Sequence, residues 1–203
     1  PPPRAPLMKR FAVYSLLLAC APLAAQAPSL PPVAEQLTAA VQPLPAELRA
    51  EATVMGYRTA GKLEVLQQGT NGMNCLALYV ARADFHVACY HASLEPFMAR
   101  GRELRDQGMT GTRVDTVRFK EIADGKLKMP AQGALYSLSG KKEVWDAAAG
   151  TAKGAAPLAV IYMPFATTAT TGLTSKPQGP GQPWLMFPGT PKAHVMLIGS
   201  MSP

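Results

Sequence analysis

Cys75 and Cys89 each lie seven residues from Arg82. Strand-like runs surround them, Met73 to Val80 and Phe85 to Tyr90, with a tight loop at Ala81 to Asp84. A hairpin folded about Arg82 sets the two cysteines opposite each other, and direct cross-strand neighbours lie close enough to bridge. The pair therefore predicts an antiparallel hairpin stapled by a Cys75–Cys89 disulfide. The competing reading is two buried free thiols, because Cys packs like a small hydrophobe. A lasting disulfide needs an oxidising compartment.

The N-terminal segment agrees with that requirement. Met8-Lys9-Arg10 reads as a start followed by a positive n-region, and Phe11 to Ala19 is a short apolar run. Small residues follow, ending Ala24-Ala25-Gln26-Ala27. This is the layout of a secretory signal peptide, with Pro1 to Leu7 upstream of it. The apolar run is too short and too Pro-interrupted for a good membrane span, and no other segment is long and apolar enough. Two cleavage readings compete. Leu17-Leu18-Ala19-Cys20 resembles a bacterial lipobox, which makes Cys20 a lipidation candidate. Ala25-Gln26-Ala27 resembles an ordinary peptidase site, with Pro28 unfavourable just after it. The expected location is the bacterial envelope or beyond: periplasmic, secreted or lipid-anchored.

The 203 residues suit one domain plus an export segment. Hydrophobic residues make up 48%, enough for a real core, while 20 Pro and 17 Gly favour short strands and many turns. Residues 28–50 read as a linker and two short helices, Val33 to Val41 and Ala46 to Ala52. From residue 51 to 203 a single domain is expected. Strands are predicted at Thr53 to Tyr57, Leu63 to Leu66, Ala134 to Leu138, Leu158 to Met163 and His194 to Ile198, besides the central hairpin. Turns are marked at Gly61-Lys62 and Gly69-Thr-Asn-Gly72. One clear helix begins near Ser93, whose hydroxyl is a cap candidate, with Glu95 and Pro96 suited to the first turn. Leu94, Phe97, Met98, Gly101 and Leu104 form its apolar stripe, and Gly108 ends it. Asp115 to Ala123 is a second helix candidate. Residues 147–157 look flexible and 175–191 too Pro-rich for a regular element. Strands, then helix, then strands predict an α+β fold: a mainly antiparallel sheet with one or two packed helices.

Chemistry is thinly signalled. His86, Cys89 and His91 invite a metal or haem reading, but C-x-x-C-H is missing. On one strand His86 and His91 point to opposite faces. The reading is therefore no metal site and no cofactor. No G-x-S-x-G, H-E-x-x-H or phosphate-binding glycine loop is present. A small hydrolase-like enzyme would have to build its site where loops 69–74, 164–173 and 187–194 meet. Asn71, Asn74, Thr170 and His194 would be its polar groups. Residues 100–128 hold eight Lys or Arg against five acids in alternation, a solvated face without the density nucleic-acid binding wants. The formal charge of +7 falls to +4 once Arg4, Lys9 and Arg10 are removed. Trp184-Leu-Met-Phe187, inside a Pro/Gly loop, either tucks into the core or marks a binding surface at Trp184 and Phe187.

Several of these stretches together resemble an uncharacterised family of exported bacterial proteins. They are Gln68-Gly-Thr-Asn-Gly72 through Cys75, His86-Val-Ala-Cys-Tyr-His91, and Ser93-Leu-Glu-Pro-Phe-Met-Ala-Arg-Gly-Arg-Glu-Leu104. Pro164-Phe-Ala-Thr167, Trp184-Leu-Met-Phe-Pro-Gly-Thr190 and Ala193-His-Val-Met196 complete the likeness, over most of residues 50–200. The resemblance implies a shared fold and an exported location, and supplies no chemistry. The functional expectation is an exported envelope protein acting as a non-catalytic binding or structural module of unknown partner, with the small secreted enzyme as the alternative. Membrane contact is expected only through the signal peptide or a lipid anchor.

Overall fold

The computed structural model describes Pro2 and residues 30–179 and 181–198. The signal-like segment, both cleavage readings and Cys20 lie outside the described residues. Two helices come first, α1 (Val33–Ala40) and α2 (Ala46–Arg49). Strands β1 (Thr53–Thr59), β2 (Lys62–Gln67), β3 (Met73–Leu76) and β4 (Phe85–His91) follow. Then come α3 (Glu95–Asp106), α4 (Thr112–Ala123) and β5 (Gly133–Gly140). The small pair β6 (Trp145–Asp146) and β7 (Thr151–Ala152) precedes β8 (Ala156–Tyr162), α5 (Thr168–Thr171), β9 (Trp184–Met186) and β10 (His194–Leu197).

Eight strands form one sheet in the order β2-β1-β3-β4-β5-β8-β10-β9. Every ladder is antiparallel except β1 with β3. The predicted α+β class, single-domain and mainly antiparallel, is the observed one. Turn chemistry explains the tight joints: Gly72 ends the 69–72 turn at φ 75°, where a side chain would be strained.

Strand periodicity sorts the core into two faces. Phe85, Val87 and Cys89 of β4 point to one face, where Ala39, Ala40 and Leu44 from α1 and its following turn cover them. Tyr90, Leu76, Val160 and Tyr162 lie in the other layer, beneath Leu94 and Phe97 of the α3 segment. Cys75 and Cys89 are register partners, both fully buried, and joined by a disulfide with Cα atoms 4.0 Å apart. The free-thiol alternative is thus set aside.

Several boundaries differ from expectation. The run Met73 to Val80 leaves the sheet at Leu76 and tightens into a 3₁₀ turn over Leu78–Ala81. Ser93 does not cap α3: it sits in a 3₁₀ turn, Ala92–Leu94, and the α-helix starts only at Glu95. There the His91 side chain accepts from the Ser93 N–H (3.3 Å), and Ser93 Oγ lies 2.8 Å from His91 Nδ1. The second helix starts at Thr112 instead of Asp115, and the first-turn carboxylate is Asp115. Residues 147–157, expected to be flexible, contain β7 and the start of β8. The Pro-rich stretch 175–191 contains β9, because its short Trp-Leu-Met run holds no Pro and pairs with β10. Residues 33–40 form the short helix expected there, and it packs into the core.

One contact fixes α1 to the sheet. Gln36 is fully buried. The Tyr57 N–H donates to its Oε1 (2.8 Å), and its Nε2 donates to the Tyr57 carbonyl (2.8 Å). Since β3 stops opposite Met55, Gln36 takes the place of the next strand residue and satisfies both backbone groups.

Candidate functional site

The four polar groups of the enzyme alternative do not come together. Asn71 holds a turn: its Nδ2 donates to the Leu48 carbonyl (2.6 Å) and its Oδ1 accepts from the Met73 N–H (3.0 Å). Asn74 donates to Glu95 Oε2 (3.2 Å). Thr170 closes a capping box with Thr167 on α5. His194 is on β10, buried, with Nδ1 2.7 Å from the Lys192 carbonyl oxygen. Between β3 and β10 lie β4, β5 and β8. Four ladder spacings separate Asn74 from His194 by about 19 Å, too far for one catalytic constellation.

Asn74 belongs to a different cluster. Tyr90 donates its hydroxyl to Glu95 Oε2 (2.5 Å), and Arg102 donates to Tyr90 Oη (2.8 Å) and to Glu95 Oε1 (2.5 Å). Burial pushes the Tyr90 phenol up, the Arg102 guanidinium pulls it down, and the Glu95 carboxylate pushes up again, leaving it raised. Arg102 also lines a groove of about 660 Å³ between α3 and the β1–β2 hairpin. Each side chain of this network is hydrogen-bonded to another, which ties α3 to β3 and β4. His86 and His91 lie on opposite faces of β4. Among the described residues, no group of three or more His, Cys, Asp or Glu is arranged to hold a metal ion.

The loops after β8 and β9 present something else. Among the described residues, two non-glycine residues have positive φ, Phe165 (65°) and Phe187 (53°). Bulky residues rarely adopt that region. Both are exposed as well, Phe165 by 54% and Phe187 by 43%. Their loops are tied together: the Phe165 N–H donates to the Thr190 carbonyl (2.8 Å) and the Gly189 N–H to the Ala166 carbonyl (2.8 Å). Trp184, by contrast, is buried and belongs to the core, so the two aromatic residues singled out in the sequence have separate roles.

Phe187 is braced from one side. Lys192 Nζ lies 4.6 Å from its ring centroid, and the His194 ring 5.6 Å away. Lys192 in turn donates to Asp115 Oδ2 (2.8 Å), and Asp115 pairs with Arg118. Arg118 is 4% exposed, stacks on Phe97 at 3.7 Å and donates to the Phe97 carbonyl (3.0 Å). Gly101 admits it: a Cβ there would stand 2.8 Å from Arg118 Nη1. Burial raises the Asp115 carboxyl, but the hydrogen bonds from Lys192 and Arg118 outweigh it and hold the group below its ordinary value. Burial lowers His194, which therefore stays neutral near pH 7. The chain Phe187–Lys192–Asp115–Arg118–Phe97 thus anchors the aromatic loop to α4 and α3. Sequence reasoning found Phe187 through its apolar tetrad. It missed Phe165, whose only local signal was an aromatic between Pro164 and Ala166.

Searches against protein-family models, curated proteins and solved structures find no match to this chain.

Proposed function

We propose that this protein is an exported, non-catalytic binding module whose contact face is the loop pair bearing Phe165 and Phe187. One observation carries the reading: the two exposed phenylalanines are both held in left-handed backbone, on loops hydrogen-bonded to each other. Such backbone strain costs on the order of 1–3 kcal/mol per residue and clusters at ligand clamps. Leaving an aromatic ring in water forfeits its burial besides. Two coincident costs at one place fit a surface kept for a partner, since aromatic anchors dominate interface energetics. The signal-like segment at residues 8–27 and the disulfide support export.

The test is site-specific photocrosslinking in the exporting bacterium, followed by fractionation. A benzophenone amino acid is placed at position 165, at 187, or at the exposed control Lys141. Positions 165 and 187 are expected to give adducts of one discrete mass, absent at 141 and lost from 187 when Phe165→Asn is added. Absence of adducts at both loop positions overturns the binding face. Recovery of the chain with its N-terminal segment intact in the cytosolic fraction overturns export.

A further inference from the structure

The sheet face beneath α1 is only half covered. Residues of α1 and its following turn lie over β1, β3 and β4. At the far side Ala166 and Leu173 pack on Leu185 and Val195. Among the described residues, the floor made by β5, β8 and β10 stays open between these covers, and Ile161 is left 39% exposed. A trough of about 430 Å³ runs there, floored by Tyr136, Pro157, Ala159 and Leu197 and walled by Leu44 and Pro45. A second depression continues it past Tyr136 to Ile161. The size lies within the range of about 300–1,000 Å³ typical of small-ligand sites.

Its charge is one-sided. Arg49 lines the trough, with Nε donating to the Leu44 carbonyl (2.8 Å) and Nη2 to the Gln42 carbonyl (3.1 Å). These partners are neutral, and no carboxylate among the described residues pairs with Arg49. An adjoining depression shares Arg49 and Pro157 and adds Lys153. Among the described residues, no Asp or Glu lines the trough or either neighbouring depression. The sequence beyond Asp146, which supplies β8 and β10, contains no Asp or Glu at all.

We infer that this trough binds a free single-chain fatty acid, its tail along the Tyr136–Ala159–Leu197 floor and its carboxylate at Arg49. An apolar concavity ending at an uncompensated guanidinium matches an apolar tail ending in an anion, and guanidinium pairs bidentately with carboxylate. An extended peptide is disfavoured. The floor strands are interior, with β5, β8 and β10 each paired on both sides, so no free strand edge is offered. A membrane surface is disfavoured because the apolar residues line a hollow and do not protrude.

Calorimetric titration of the full chain with dodecanoate below its micellar concentration tests this. Saturable binding is expected, weakening about fourfold for each methylene removed in decanoate and octanoate. Dodecyltrimethylammonium is expected to bind about tenfold more weakly or not at all. Ala159→Trp, which fills the floor, abolishes binding while the thermal midpoint stays within a few degrees. Arg49→Gln removes the preference for the anion over dodecanol. Because Arg49 also holds two backbone carbonyls, the chain-length and headgroup series on the unaltered protein decides alone if that variant unfolds. Failure of dodecanoate to saturate, equal binding of the cationic amphiphile, or unchanged binding by a folded Ala159→Trp each overturns the inference.

Discussion

A phenylalanine at φ 65° opposes its own backbone preference. At Phe165 the ring is more than half exposed, so little burial offsets the strain. Phe165→Asn is therefore expected to raise stability by about 1 kcal/mol, since Asn tolerates left-handed backbone. Urea unfolding measures it. A loss of stability instead means that the ring supports the loop and is not held out for contact. Residue-level reading of the sequence reached Trp184 and Phe187 because an apolar tetrad among Pro and Gly stands out. It could not divide them, since pairing with β10 decides which ring is covered. Ser93 went astray for a related reason. Its hydroxyl finds His91 one turn early, so the α-helix begins after it without a side-chain cap.

At the scale of elements, α1 is held by a side chain acting as strand backbone. Gln36→Leu keeps the shape but leaves the Tyr57 N–H and carbonyl unpaired in the core. Each such group costs about 1–3 kcal/mol, so a total loss of about 3 kcal/mol is expected in the unfolding free energy. A loss below about 1 kcal/mol would mean that water reaches β1 there. Gly56 belongs to the same arrangement, because a Cβ on it would stand 2.5 Å from Gln36 Oε1. Most strands were legible from alternating apolar residues and turn signals. The early end of β3 was not, because Leu78 and Val80 continue the strand pattern while the backbone has already tightened into a 3₁₀ turn. Gln36 was illegible for a stronger reason: its partner lies 21 residues away, beyond any local period.

For the whole molecule, acid is the expected weakness. Burial lowers both His86 and His194 below 6.5. In the unfolded chain each binds a proton near pH 6.5, whereas the folded protein binds it only at lower pH. Unfolding thus takes up protons within that window, and stability is lost as pH falls from about 6.5 through the folded values. The thermal midpoint is expected to be constant from pH 8 to 7 and to drop between pH 6.5 and 5. In His86→Gln/His194→Gln the drop should be shallower. An identical slope would place the acid sensitivity elsewhere, with Asp115 acting only at lower pH. The α+β class and the central disulfide were readable because they follow from local patterns. The sheet order beyond β5 was not, since β5, β8 and β10 share similar apolar alternation and only three-dimensional fit ranks their pairings.

That order has a consequence in time. Strands β1 to β5 and then β8 join the sheet in sequence, but β9 touches it only through β10, which comes later in the chain. Synthesis delivers residues from the N-terminal end. The loop bearing Phe187 therefore waits, unplaced, until His194–Leu197 has emerged and slotted in beside β8. A chain that stops short of β10 can still pair β1 to β5 and β8, yet its Phe187 loop has no strand to hold it.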